Sequence, residues 1–240
     1  MIKYDRQQKI LHLMRERQSA TVKELSALVY ASEASVRRDL EALESRGFVQ
    51  RVYGGVVLSE YKNSEVPISL RDAEHHAAKE QIARRAAEMI PDGSTVLIDS
   101  STTARRIVKY IGHCQGLRVI TNHLAVFEEL RDLDVEAYCT GGAFRRSGHD
   151  FVGAAAEVYV RSISADILFF SSQGISEEGE ITDVSEERTA LRRVMMERSR
   201  RRVFLCDASK IGVRRLFTLC TKDDVDEIIS DVTLPWETSL

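Results

Sequence analysis

The stretch Ser32-Glu33-Ala34-Ser35-Val36-Arg37-Arg38-Asp39-Leu40-Glu41-Ala42-Leu43-Glu44-Ser45 reads as one helix with two unlike faces. Ser32 is an N-cap residue type, and Gly47 stands where a helix stop is expected. With Val36 set at 0° and about 100° per residue, Leu40 and Leu43 fall within about 40° of it, whereas Ala34, Arg38 and Ser45 lie near 160° to 200°. Val36, Leu40 and Leu43 therefore face a core, and Arg38 points away from it. Ser35 and Arg37 flank the outward direction. Small residues permit close approach to a duplex, and an arginine fork fits guanine O6/N7 or a phosphate. The plainer reading of this face is a solvated one, with an arginine paired to Glu41.

Upstream, Ile10, Leu13 and Met14 mark one face of a first helix from about Asp5 to Arg17. Gln18-Ser19-Ala20 interrupts it. Thr21-Val22-Lys23-Glu24 has the capping-box form and opens a short second helix carrying Val22, Leu25 and Leu28 or Val29. Tyr30-Ala31 is then a brief break, so a helix-turn-helix is expected at about 20–39. Downstream, Phe48-Val49-Gln50-Arg51-Val52-Tyr53-Gly54-Gly55-Val56-Val57 reads as strand, Gly-Gly turn, strand. Such a hairpin wing brings Arg51 and Tyr53 within reach of phosphates.

Ser32-Glu33-Ala34-Ser35-Val36-Arg37-Arg38-Asp39-Leu40, Leu43-Glu44 and Tyr53-Gly54-Gly55 together resemble the winged helix-turn-helix of the bacterial DeoR family of transcriptional regulators, whose members usually read Ser-x-x-Thr-Ile-Arg-Arg-Asp-Leu and His-Gly-Gly-Ala. Ser35, Val36 and Tyr53 depart from that pattern. The resemblance assigns Ser35, Arg37 and Arg38 to a recognition helix; with Ser32, Arg51 and Tyr53 they form the candidate DNA-binding set.

Ser59 to about Ala73 is polar and unpatterned, which suggests a winged helix-turn-helix domain at 1–58, a linker at 59–75 and an α/β domain at 76–234. Within the last, Ala77 to Ile90 is helical, and Pro91-Asp92-Gly93 stops it. Short apolar strands at Val96 to Ile98, Leu117 to Ile120, Val135 to Cys139, Ile167 to Phe170, Val203 to Cys206, Leu216 to Cys220 and Ile228-Ile229 alternate with helices at Ala104 to Ile111, Leu124 to Leu130, Ala155 to Ile163 and Glu186 to Arg198. That alternation implies a mostly parallel sheet covered on both faces, with ligands beyond the carboxyl ends of its strands. Asp99-Ser100-Ser101-Thr102-Thr103 lies between a strand and a helix, where hydroxyls and free amides converge as an anion cradle or, more plainly, as an ordinary N-capped loop. Thr121-Asn122 repeats the arrangement. Gly141-Gly142 offers bare backbone for a ligand to approach, and Asp207-Ala208-Ser209-Lys210 offers a carboxylate, a hydroxyl and a mobile ammonium.

The resemblance extends over this half. DeoR-family effector domains share a fold with ribose-5-phosphate isomerase-like enzymes, bind phosphorylated sugars or related intermediates, and typically show Asp-Ser-Gly-Thr-Thr, Thr-Asn-Ser, Gly-Gly and Asp-Ser-Ser-Lys. The resemblance thus implies an effector site at Asp99, Ser100, Ser101, Thr102, Thr103, Asn122, Gly141, Gly142, Asp207 and Lys210. Ser101 stands where the family has glycine; in a left-handed conformation its side chain would cost roughly 1 to 2 kcal/mol. His123 replaces serine, Ser171-Ser172-Gln173-Gly174 replaces Gly-x-Asp-Gly, and Arg192 stands where lysine is usual.

The 240 residues, 43% apolar and 30% charged, hold enough hydrophobic material for one or two cores, which excludes whole-chain disorder. Neither an 18-residue apolar run nor an apolar leader is present, so a cytoplasmic protein without membrane contact is expected. Cys114, Cys139, Cys206 and Cys220 are scattered among apolar runs and read as buried thiols. The histidines show no metal-ligand spacing, and neither metal nor cofactor is expected. Residues 1–57 carry ten Lys/Arg against seven Asp/Glu, and the remainder 24 against 30, so the net charge of −3 conceals a basic end and an acidic body. The Arg198-Ser199-Arg200-Arg201-Arg202 run reads as a solvated helix end. The expectation is a DNA-binding transcriptional regulator and not an enzyme: a repressor of a carbohydrate-metabolism operon, controlled by a phosphorylated sugar and acting on double-stranded operator DNA as a dimer or larger homo-oligomer. One alternative is a sugar-phosphate isomerase with an appended DNA module and Asp99, Glu187 or Asp207 as base. Another is a metabolite-binding protein whose basic end meets a protein.

Overall fold

The computed structural model describes residues 3–17, 19–46, 48–52, 55–58 and 68–236. The chain divides into two compact units, Met1–Val66 and Pro67–Leu240.

In the first unit, α1 (Lys3–Arg17), α2 (Val22–Val29) and α3 (Glu33–Ser45) are joined to a small sheet of β1 (Ser19–Ala20), β2 (Val49–Val52) and β3 (Gly55–Leu58), in the order β1-β3-β2. Strand β1 occupies the interruption after α1, a pairing invisible to local pattern because its partner, Val56-Val57, lies far along the chain. The Thr21 hydroxyl accepts from the Glu24 amide while the Glu24 carboxylate accepts from the Thr21 amide, closing the expected capping box. Tyr30 ends α2 in the left-handed region, with φ 53°. Ile10, Met14, Leu25, Val29, Val36, Leu40 and Leu43 are fully buried, so the three apolar stripes form one core. Asp39, equally buried, takes Arg6 Nε at 2.5 Å and Gln7 Nε2 at 3.2 Å, and fastens α3 to α1.

The second unit opens with α4 (Ile68–Ala73) and α5 (His76–Ala87). The expected linker therefore ends early: 59–67 lies outside the described residues, and 68–73 is helical. There follow β4 (Thr95–Ile98), α6 (Thr102–Arg105) with a 3-10 turn (Arg106–Tyr110), β5 (Arg118–Thr121), α7 (Leu124–Leu130), β6 (Glu136–Cys139), β7 (Ala143–Arg145), β8 (Asp150–Val152), α8 (Ala154–Arg161) and β9 (Ala165–Phe170). The chain continues through β10 (Gly174–Ile175), β11 (Glu180–Asp183), α9 (Glu186–Glu197), β12 (Ser199–Cys206), β13 (Phe217–Thr221) and β14 (Glu227–Ser230).

Six strands build a parallel sheet in the order β14-β12-β9-β4-β5-β6. The chain order runs outward from β4 to one edge and from β9 to the other, so the direction of winding reverses between β4 and β9. Alternate residues supply opposite faces. Val96, Ile98, Val119, Phe169 and Leu205 pack with Ile82, Ala86 and Ile107, whereas Leu97, Ile120, Phe170 and Phe204 pack with Val160, Leu191 and Met195. This two-sided burial is why the strands read as continuous apolar runs.

Two expectations need correction. The Leu216 to Cys220 run is a strand, β13, but it pairs antiparallel with β11 in a separate three-stranded sheet. The arginine run is a helix end only at Arg198, the C-cap of α9; Arg200, Arg201 and Arg202 lie in β12, where Arg201 meets Glu227 at 2.6 Å and Arg202 meets Asp226 at 3.0 Å. Cys114 and Cys206 are buried, while Cys139 and Cys220 are half-buried.

Candidate nucleic-acid interface and anion site

The outward face of α3 is held ready by its own start. Ser32 Oγ accepts from the Ser35 amide at 3.3 Å and donates to Ser35 Oγ at 3.0 Å, so both serines fix the helix N-terminus. Arg37 and Arg38 are exposed. Arg37 meets Glu33 at 3.5 Å, a solvated pair one turn back rather than the expected one with Glu41. Arg38 Nε donates to the Ala34 carbonyl at 3.4 Å. Exposed contacts of this kind are worth at most about 1 kcal/mol and yield to a phosphate or base. Arg51 is more engaged: its amide and Nε donate to Glu44 at 2.8 and 2.6 Å, and Nη1 donates to Glu41 at 3.3 Å. Those bonds hold Glu44 below the usual carboxylate range and tie the wing to α3. Tyr53 lies outside the described residues.

At the second site, register does the assembling. Ile98 pairs with Thr121 and Phe169, Thr121 with Cys139, and Phe204 with Phe170, so the strands end nearly level. Asp99, Asn122, Thr140, Ser171 and Asp207 are each the residue just beyond a strand. Asp99 and Ser171 flank the winding reversal, where a crevice opens in sheets of this type. Asp99 Oδ1 accepts from the Ser101 amide at 2.9 Å; its Oδ2 accepts from the Ser171 amide at 3.4 Å and Arg192 Nε at 2.7 Å. Arg192 also donates from Nη1 to Asp183 at 2.6 Å, bridging two buried carboxylates. Both carboxylates hold its guanidinium above its ordinary pKa against the opposing effect of burial. Ser100 Oγ donates to Asp150 at 3.1 Å, and Asp150 also takes Arg188 Nε at 2.6 Å. Burial holds the Asp150 carboxyl above its ordinary value, and burial with the neighbouring Arg192 charge brings Arg188 down to about 9; the two meet in a buried contact of 2.6 Å. Gly148 lies against this pair, leaving no space for a β-carbon. Lys210 Nζ donates to Ser171 Oγ at 2.5 Å and stands 3.4 Å from Asp207, which caps the following turn through the Ser209 amide.

Ser101 is not left-handed. It is extended, at φ −81° and ψ 146°, and caps α6 by accepting from the Ala104 amide at 3.1 Å, so the side chain carries no backbone penalty. Thr102 and Thr103 occupy the buried first turn of that helix. His123 serves as the cap of α7, its Nδ1 accepting from the Ala125 and Val126 amides at 3.1 and 3.3 Å. Nε2 therefore carries the proton, and burial, then Arg105, bring the imidazole down to about 3. Asn122 Nδ2 donates to the Phe151 carbonyl at 3.1 Å. Thr103 Oγ1, Asn122 Oδ1 and His123 Nε2 are buried without a hydrogen-bond partner among the described residues.

The glycine pair behaves unevenly. At Gly141 space is open, but at Gly142, φ 111°, a β-carbon would lie 2.6 Å from the Val152 carbonyl, so the protein's own backbone takes the room expected for a ligand. Four strand spacings also separate β6 from β12, roughly 19 Å at about 4.8 Å each, so the glycines and Lys210 do not meet. Sequence reasoning missed Lys79, Asp150, Asp183, Arg188, the Lys210 contact of Ser171 and the bridging part played by Arg192. The available signal was a cation placed within an apolar stripe: Lys79 with Ile82, Ala83 and Ala86, and Arg188 and Arg192 with Leu191 and Met195.

The DeoR-like helix-turn-helix domain matches residues 6–62, and the DeoR C terminal sensor domain matches residues 74–232. The chain belongs to the DeoR family. Similar proteins include the HTH-type transcriptional regulator GolR of Listeria innocua, 32% identical over 96% of this chain and 91% of that protein. The transcriptional repressor AccR of Agrobacterium fabrum is 32% identical over 95% and 89%, and the lactose phosphotransferase system repressor of Staphylococcus epidermidis 29% over 96% and 93%. This DeoR-family chain is thus a helix-turn-helix transcriptional regulator. Its fold is also similar to eIF2B delta of Chaetomium thermophilum, with TM-score 0.51 at 14% identity over 85% of this chain and 66% of that one. The overlap with ribose 5-phosphate isomerase A of Methanocaldococcus jannaschii covers 57% and 55%, with TM-score 0.44 at 12% identity. No helix among the described residues is long and apolar enough to cross a membrane.

Proposed function

We propose that this regulator represses a carbohydrate-metabolism operon in the cytoplasm and responds to a phosphorylated sugar bound at the strand-end cluster, rather than turning it over. The observation that carries the reading is the concentration of Lys79, Lys210, Arg188 and Arg192 around the winding reversal between β4 and β9. Cations supply the attraction for a phosphate. Thr103 Oγ1, Asn122 Oδ1 and the His123 Nε2 proton add a hydroxyl, an acceptor and a donor suited to sugar hydroxyls. Relatives named as a lactose phosphotransferase system repressor and an aga operon repressor support the substrate class. The general-base candidates argue against turnover: Asp99 is held by Arg192, Asp207 by Lys210, and Glu187 by Arg145 at 2.7 Å.

On the DNA side, Ser32, Ser35, Arg37 and Arg38 present the helix, with Arg51 on the wing and Tyr53 assigned by sequence alone, and a dimer or larger assembly engages repeated half-sites. A thermal-shift screen of sugar phosphates tests the sensor reading. A ligand at 100 times its dissociation constant adds about 2.7 kcal/mol of stability, and Lys210→Ala removes most of that response. Absence of any response across pentose, hexose and triose phosphates sinks it; turnover of one of them revives the isomerase. For the helix, Arg38→Ala costs about 1 to 3 kcal/mol at one base position if it reads a base, and weakens all sequences alike if it meets phosphate. Unchanged affinity in a salt-controlled titration removes Arg38 from the interface.

A further inference from the structure

We propose that Lys79 is the residue through which an anion in the strand-end cluster is felt by α4, the helix that leads into the sensor. The inference rests on the proposed sensor function and adds how binding is passed on.

Lys79 lies on the apolar stripe of α5 and is only 4% exposed. Among the described residues no carboxylate stands within ion-pair distance of it. The four carboxylates of the cluster are matched to other cations: Asp99 and Asp183 to Arg192, Asp150 to Arg188, and Asp207 to Lys210. A buried ammonium with no carboxylate in direct contact is costly, and an anion bound within its reach would offset that cost. Helix α5 packs against α6 and β12, whose ends carry Ser101 and Asp207, and the charges acting on Lys79 are those of Lys210, Asp207, Glu74 and Arg106. Burial and Lys210 bring it down to about 8.

The other side of Lys79 faces α4. Its Nζ donates to the Arg71 carbonyl, while Arg106 Nη2 donates to the Asp72 carbonyl at 2.7 Å and the Asp72 carboxylate at 2.9 Å. The Ile68 amide donates to the Ser147 carbonyl at 3.2 Å. A six-residue helix has no stability of its own, so such contacts determine whether it forms. An ammonium has three donors. One holds α4, and the others are available to an anion beside Lys210, whose charge relieves the repulsion between the two lysines. An occupied cluster therefore fastens Lys79, and with it α4, more firmly than an empty one.

Hydrogen–deuterium exchange of the full chain with and without inorganic phosphate, alongside calorimetric titration, tests this. In the native protein phosphate binds and slows exchange in peptides covering 68–73 several-fold. Lys79→Met weakens phosphate about tenfold, the loss of one charge-assisted hydrogen bond, and abolishes the slowing at saturating phosphate; Lys79→Arg retains both. Phosphate that binds the native chain without altering 68–73, or Lys79→Met that keeps the full response, overturns the proposal. No phosphate binding at all brings down the anion-site reading, and this inference with it. Should Lys79→Met not fold, the native measurement decides: slowing supports the link, and its absence refutes it.

Discussion

At Gly148 there is room for a hydrogen atom and nothing larger. A methyl there runs into Arg188 Nη2 and Asp150 Oδ1, which are buried and cannot swing into solvent. Gly148→Ala is expected to destabilise the protein by about 1 to 3 kcal/mol, as overpacking does, in urea unfolding. His123 supplies a pH signature. Its folded pKa of about 3 lies below its ordinary value of 6.5, so the stability gained from a neutral ring is complete above pH 6.5 and is lost as pH falls from there toward 3. The loss approaches about 1.4 kcal/mol per pH unit inside that window. Asparagine also caps helices, so His123→Asn keeps α7 while flattening the pH profile. A profile unchanged by the substitution would mean that another group titrates. Asp207 acts lower down: burial raises its carboxyl, but Lys210 and the Ser209 hydrogen bond together hold it below the ordinary value, so its contribution disappears only below about pH 4.

Among the elements, α3 depends on a partner that its own pattern does not reveal. Asp39→Ala strips the carboxylate from Arg6 and Gln7, and the expected cost is about 1 to 3 kcal/mol, with Arg6 partly solvated; operator affinity and the N-terminal unfolding transition should fall together. The faces of α2 and α3, the capping box, α7 and most of the parallel strands were legible because each is written in residues three or four apart, or in one short apolar run. What escaped was written across distance. The Arg192–Asp99 contact spans 93 residues and the Arg188–Asp150 contact 38, and only the sheet order brings them together. Local reading located polar strand ends at Asp99, Asn122 and Asp207, but not the helix-borne cations that face them. It also assigned β13 to the wrong sheet, since an apolar run does not state its partner. Helix α4 was hidden for another reason: six residues show too little periodicity to stand out from a polar stretch.

For the whole molecule, regulation requires that a ligand distinguish two arrangements, since equal affinity for both shifts nothing. Couplings of about 1 to 3 kcal/mol would give a 5- to 150-fold change in operator affinity. Gel filtration at micromolar concentration should return a dimer or larger species; a monomer that binds one half-site tightly would contradict the paired-site reading. The level strand ends have a consequence for descent as well as for binding. Asp99, Asn122, Ser171 and Asp207 each stand one step beyond the last laddered pair, so replacing them together with their buried polar partners breaks no strand pairing. A lineage built on this plan is free to exchange one metabolite for another by editing a few rim positions. Gene duplicates should accordingly diverge in what they sense long before they diverge in shape.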